Sequence, residues 1–167
     1  MAVESGKKVM VAIDESKGSY YTLMWVLENL HETIKNSGNP LVIFMAQPPP
    51  NNINVFAASL GTARMYCNLS STPDLVLSIQ EQNYRVTKGI LEKAKGICTS
   101  HGVQAEMVTE VGDARQAICD AVQKYTISLL VLGDHGLGQI KRALLGSVST
   151  YCVQNAKCPV LVVKKPK

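Results

Sequence analysis

Ile127-Ser-Leu-Leu-Val-Leu-Gly133-Asp-His-Gly136-Leu-Gly138-Gln-Ile-Lys141-Arg142-Ala-Leu-Leu-Gly146-Ser147-Val148-Ser-Thr-Tyr-Cys-Val153 decides the reading of this chain. Its first six residues form an apolar run of strand length, as expected for a buried parallel strand. From Gly146 to about Gln154 the pattern is helical. The glycines between therefore lie on a strand-to-helix connection. Glycine lets a backbone turn tightly and come close to a ligand. A helix start adds unshared N–H groups and the positive end of the helix dipole. Ser147 adds a hydroxyl donor there.

Two well-known phosphate motifs fail on this stretch. The Walker form needs Lys and Ser or Thr after its second glycine, but Gln139-Ile140 follows Gly138. The dinucleotide form G-x-G-x-x-G meets Gly136 and Gly138 and then Lys141. The spacing that does hold is Gly133, two residues, Gly136, nine residues, Gly146-Ser147.

The rest of the chain repeats the strand–helix alternation. Lys8 to Ile13 is an apolar run ending at Asp14-Glu15-Ser16, where Ser16 can cap a helix. Leu23, Val26, Leu27, Leu30 and Ile34 recur at helical spacing until Ser37-Gly-Asn-Pro40. Leu41 to Ala46 is the second strand. A helix is expected from Leu75 to about Ser100, with Ile79, Val86, Ile90, Ala94 and Ile97 on one face. Val103 to Glu110 alternates and suits an edge strand. Gly112-Asp113 opens a further helix with Asp113 as a first-turn acid, and Lys157 to Val163 holds the fifth strand. Residues 47–73, with Pro48-Pro49-Pro50, form an insertion with weak periodicity, read either as a lid over the carboxyl edge or as an extra helix or loop.

This pattern predicts one α/β domain over residues 1–167. Its five-stranded parallel sheet has order 3-2-1-4-5 with helices on both faces, a Rossmann-like arrangement. In that order strands 1 and 4 are neighbours where the winding reverses, and ligands bind at such a point. Asp14 and Gly133, far apart in sequence, then converge on one crevice.

Composition narrows the function classes. The 167 residues are 46% apolar and 18% charged, with net charge +4, which excludes a disordered chain. Lys7-Lys8 and Lys164-Lys165-Pro166-Lys167 lie at the two ends, and no basic face interleaved with aromatics points to nucleic acid. No apolar run approaches a membrane span or a signal-peptide core, so a cytoplasmic location is expected, with the nucleus reachable by diffusion. Five scattered cysteines without C-x-x-C read as small hydrophobes in a reducing compartment rather than a metal or redox pair.

The Gly133/Gly136/Gly146-Ser147 spacing resembles the signature of the ATP-binding branch of the universal stress protein family. Val9-Met-Val-Ala-Ile-Asp14-Glu-Ser16 looks like that family's first strand and acidic turn, and Cys158-Pro-Val-Leu-Val-Val163 like its close. The Pro48-Pro49-Pro50 insertion is similar to the small, single-domain plant members. The resemblance implies an adenine-nucleotide site. Ala12, Ile13 and Asp14 would line the adenosine end, with Ala46 against the base. Leu132, Gly133 and Gly136 would pass beneath ribose and phosphates, and Gly146, Ser147 and Val148 would hold the phosphates. Lys141 or Arg142 would supply positive charge, unless they only face solvent. ATP or AMP is the implied ligand, with Mg²⁺ (or Mn²⁺) held through the phosphates. The resemblance also implies a homodimer through strand 159–163, an apolar edge that needs covering.

Three functions compete. The first is a stress-response regulatory module that binds ATP or AMP as a homodimer and acts on a protein partner. The second is a slow ATP-hydrolysing enzyme, although no base or metal cluster is placed beside His135 or Asp14. The third is a chaperone-like dimer that binds no nucleotide.

Overall fold

A computed structural model describes residues 6–50, 73–134 and 145–166. The elements, in chain order, are β1 (Val9–Ala12), α1 (Lys17–Asn29), α2 (His31–Ser37), β2 (Leu41–Gln47), α3 (Pro73–Ser100), β3 (Ala105–Val111), α4 (Ala114–Lys124), β4 (Leu129–Gly133), α5 (Ser147–Asn155) and β5 (Val160–Val163). The strands form one sheet in the order β3-β2-β1-β4-β5, all neighbours parallel, as the alternation predicts.

Side chains alternate across each strand, so a sheet covered on both faces needs apolar residues at every position. Val9, Val11, Ile13, Leu41, Ile43 and Met45 pack on the face covered by α1, α2 and α3. Met10, Ala12, Val42, Phe44, Leu130 and Leu132 pack on the face covered by α4 and α5. This is why β1, β2 and β4 read as unbroken apolar runs. β3 lies at an edge, and only Val108 of its seven residues is buried.

Local chemistry sets the helix ends. The Ser16 hydroxyl caps α1 by accepting from the Ser19 amide at 3.1 Å. The predicted single helix from Ser16 to Ser37 is two helices, divided at Leu30. Gly38 ends the second with φ +70°, a left-handed conformation that costs a side chain about 1–2 kcal/mol. Gln47 belongs to β2 and Pro73 to α3, so the expected insertion is shorter at both ends; its residues 51–72 lie outside the described residues.

Asp113 is the N-cap of α4 rather than a residue of its first turn. Its carboxylate accepts from the Arg115 amide at 3.1 Å and from the Arg115 guanidinium at 3.0 and 3.2 Å. The guanidinium bonds hold the Asp113 carboxyl below its ordinary range. Because the shift is downward, the cap stabilises the fold above the unfolded aspartate value of about 3.9, and the effect is lost as pH falls through the lower folded value. Asp113→Ala is expected to cost about 0.5–2 kcal/mol at pH 7. Urea unfolding should show that cost shrinking below pH about 4; a cost independent of pH would exclude the ionised cap.

Cys98, Cys119 and Cys152 are buried and Cys158 is half-buried. Burial pushes the Cys98 thiol up to about 11 and the Cys152 thiol up to about 12. These groups are protonated at neutral pH and behave as small hydrophobes, not nucleophiles. Cys67 lies outside the described residues.

Candidate functional site

The carboxyl ends of β1 and β4 diverge. Their register runs from Val9↔Leu129 to Val11↔Val131. Beyond that, β1 stays with β2, as the Ile13 amide donates to the Phe44 carbonyl at 2.9 Å. β4 stays with β5, pairing Gly133↔Val163, and the Asp134 amide donates to the Val163 carbonyl at 3.0 Å. The winding reverses here, between the carboxyl ends of β1 and β4, which is where ligands bind in sheets of this topology. At these strand ends Ala12, Ile13 and Leu132 are buried, and Gly133 and Ala46 are half-buried.

The acidic turn is organised by hydroxyl groups. Asp14 Oδ1 accepts from the Ser16 amide at 2.8 Å and from the Ser19 hydroxyl at 2.7 Å. The Asp14 amide donates to the same Ser19 oxygen at 2.8 Å. Ser19, 8% exposed, therefore fixes the acid's direction. Sequence reading missed Ser19; the available signal was a second hydroxyl three residues after the capping Ser16.

The start of α5 is placed beside β4 by a second set of bonds. The Gly146 amide donates to the Asp134 carbonyl at 2.6 Å. The buried Ser149 hydroxyl lies 3.1 Å from that same carbonyl oxygen and 3.0 Å from the Gly146 carbonyl oxygen. The two ends of the glycine-bearing connection are thereby closed on each other. Ser149 is the second residue missed, because its role depends on a carbonyl fifteen residues earlier in the chain.

α5 begins without a side-chain cap and without an acid in its first turn. Its first intrahelical bond runs from the Thr150 amide to the Gly146 carbonyl at 3.0 Å. Among the described residues, the amides of Ser147, Val148 and Ser149 have no partner, as a helix start dictates. Ser147 is exposed and Val148 half-buried. Gly146 has φ −68° and ψ 162°, which any residue adopts. Backbone conformation therefore does not require glycine at that position.

The structure brings Ala12, Ile13, Asp14, Leu132, Gly133, Gly146, Ser147 and Val148 to one edge of the sheet, with Ala46 on the neighbouring strand. Gly136, Lys141, Arg142 and His135 lie outside the described residues.

A sequence profile of the universal stress protein family matches residues 6–164. The chain belongs to the universal stress protein family. The universal stress protein A-like protein of Arabidopsis thaliana is 30% identical over 98 residues, 59% of this chain and 56% of that protein. The chain spans about half the length of the first curated universal stress proteins it matches. The solved structure of a Methanocaldococcus jannaschii universal stress protein is similar with a TM-score of 0.74 at 18% identity, over 98% of this chain and 99% of that one. A family structure from Arabidopsis thaliana, solved with AMP bound, gives a TM-score of 0.63 at 23% identity, over 96% and 92% of the two chains. At these identities the two structures establish the universal stress protein fold for this chain. Among the described residues, no helix is long and apolar enough to cross a membrane.

Proposed function

We propose that this universal stress protein binds an adenine nucleotide, ATP or AMP, in the crevice between β1 and β4 and acts as a nucleotide-responsive regulatory module. The observation that carries this reading is the start of α5. Three amides that have no partner among the described residues, and the positive end of the helix dipole, lie at the carboxyl edge of β4. That arrangement favours an anion. AMP bound to the Arabidopsis family structure is consistent with a nucleotide as its source.

In this reading Gly146, Ser147 and Val148 receive the phosphates through their amides, and the exposed Ser147 hydroxyl adds a donor. Ala12, Ile13 and Asp14 take the adenosine end, Ala46 borders the base, and Leu132 and Gly133 pass beneath the ribose. Gly136 is assigned beneath ribose and phosphates by the family spacing alone, and Arg142 to the phosphates by its positive charge within the same connection. Asp14 does not face phosphate, because two anions repel; a ribose hydroxyl or the adenine amino group suits it. Mg²⁺ or Mn²⁺ would be carried on the nucleotide's own phosphates. When bound, such an ion would neutralise phosphate charge.

Dimerisation through β5 belongs to the same proposal. β5 is a sheet edge, and Val160, Leu161 and Val162 are only half-buried there. Pairing with a second copy would cover that edge.

The first test is chromatography of the small molecules released when freshly purified protein is denatured, followed by calorimetry with Mg-ATP and Mg-AMP. Co-purified adenine nucleotide, or saturable binding of either, is expected. Neither would leave α5 as turn chemistry and sink the reading. Ser147→Ala is expected to weaken binding by roughly 1.5–3 kcal/mol, the range for a hydrogen bond to a charged group. An unchanged calorimetric affinity would remove Ser147 from the site.

A further inference from the structure

α3 packs against the sheet with an unexpected face. The sequence predicts Ile79, Val86, Ile90, Ala94 and Ile97 as its core row. The buried row is instead Asn83, Thr87, Leu91, Ala94 and Cys98. It includes two polar residues, and the Thr87 hydroxyl, fully buried, has no hydrogen-bond partner among the described residues. The more apolar row is only half-buried. Val86, Ile90 and Ile97 turn toward α1 and, with Ile13, Leu23 and Ala94, line a cavity of about 460 Å³. A volume of roughly 300–1,000 Å³ with apolar walls and few polar groups is the ordinary form of a small-molecule site.

The cavity meets the proposed nucleotide site at Ile13 and Asp14 and extends away from it between α1 and α3. It lies on the sheet face that Ile13 shares with α1 and α3, whereas α5 covers the opposite face. Its polar groups are divided between two ends. Asp14, Glu15, Ser16 and Gln82 lie toward the carboxyl edge of the sheet. Lys93 is eleven residues further along α3, about 16 Å at 1.5 Å per residue. Asp14 Oδ1 is taken up by its own turn. On α3 itself Arg85 pairs with Glu81 and Lys88 with Glu92, but among the described residues Lys93 has no carboxylate in reach.

We propose that this cavity is a second ligand site, for an elongated apolar molecule carrying one carboxylate. The carboxylate meets Lys93, the apolar body lies along Val86, Ile90 and Leu23, and an uncharged end lies near Glu15 and Ser16. The proposal stands without the nucleotide reading.

The test uses the full chain with anilinonaphthalene sulfonate as a fluorescent apolar monoanion and decanoate as competitor. One saturable probe site per chain is expected, displaced by decanoate and retained in saturating Mg-ATP. Lys93→Gln, at an exposed position, should weaken the probe two- to fivefold without moving the melting temperature. Val86→Trp, at a half-buried position, should abolish binding by occupying the cavity. Equal binding by wild type and Lys93→Gln, displacement by Mg-ATP, or absence of a saturable site would each overturn the proposal. Should Val86→Trp fail to fold, the Lys93→Gln and competition results decide it.

Discussion

Gly133→Val is expected to abolish nucleotide protection while leaving the fold intact. Gly133 is the last residue of β4, paired in register with Val163 and half-buried. Valine suits a strand, so the sheet should tolerate it. In the proposed site its two methyl groups would fill the space through which ribose and phosphate approach the backbone. For wild type, Mg-ATP at a hundred times its Kd should add about 2.7 kcal/mol to stability. For a chain of this size that corresponds to a rise in melting temperature of roughly 5–10 °C. The variant should show none of this shift and a near-normal melting temperature without ligand. An equal rise in both proteins would place the nucleotide elsewhere.

The largest loss of stability is expected from Phe44→Ala. Phe44 is fully buried in the middle of β2, between two strands, and packs with Met10, Ile118 and Val122 on the α4 face. No neighbour can collapse into its place without moving the sheet or α4, since interiors are close-packed. Removing the ring should cost about 3–5 kcal/mol. Against a total of about 5–15 kcal/mol, that leaves a marginal protein. Urea unfolding should show a lower midpoint with an unchanged slope. A cost under about 1 kcal/mol would mean that the cluster repacks.

The strand order was legible because both faces of the sheet are covered. That makes β1, β2 and β4 unbroken apolar runs, and right-handed crossovers leave few ways to order them. The glycine spacing and the Asp14 turn could be joined through the same topology. Other features were not legible for stated reasons. The break at Leu30 carries neither Gly nor Pro, so the apolar periodicity runs through it unmarked. The buried face of α3 was misassigned because periodicity selects the most apolar row, and here that row lines a cavity while Asn83 and Thr87 face the sheet. The roles of Ser19 and Ser149 depend on partners set by tertiary placement, which residue type alone does not reveal.

The bonds from Gly146 and Ser149 to the Asp134 carbonyl separate the architecture from the contents of the intervening segment. The ends of that segment are tied whatever lies between them. Closure entropy grows only slowly with length, about 0.6 kcal/mol per doubling. Insertions between Asp134 and Gly146 should therefore be cheap for β4 and α5, and that stretch could be exchanged as a cassette without moving the strand and helix it joins. The same substitutions placed at Ser19 or Ser149 would instead move the frame that presents it.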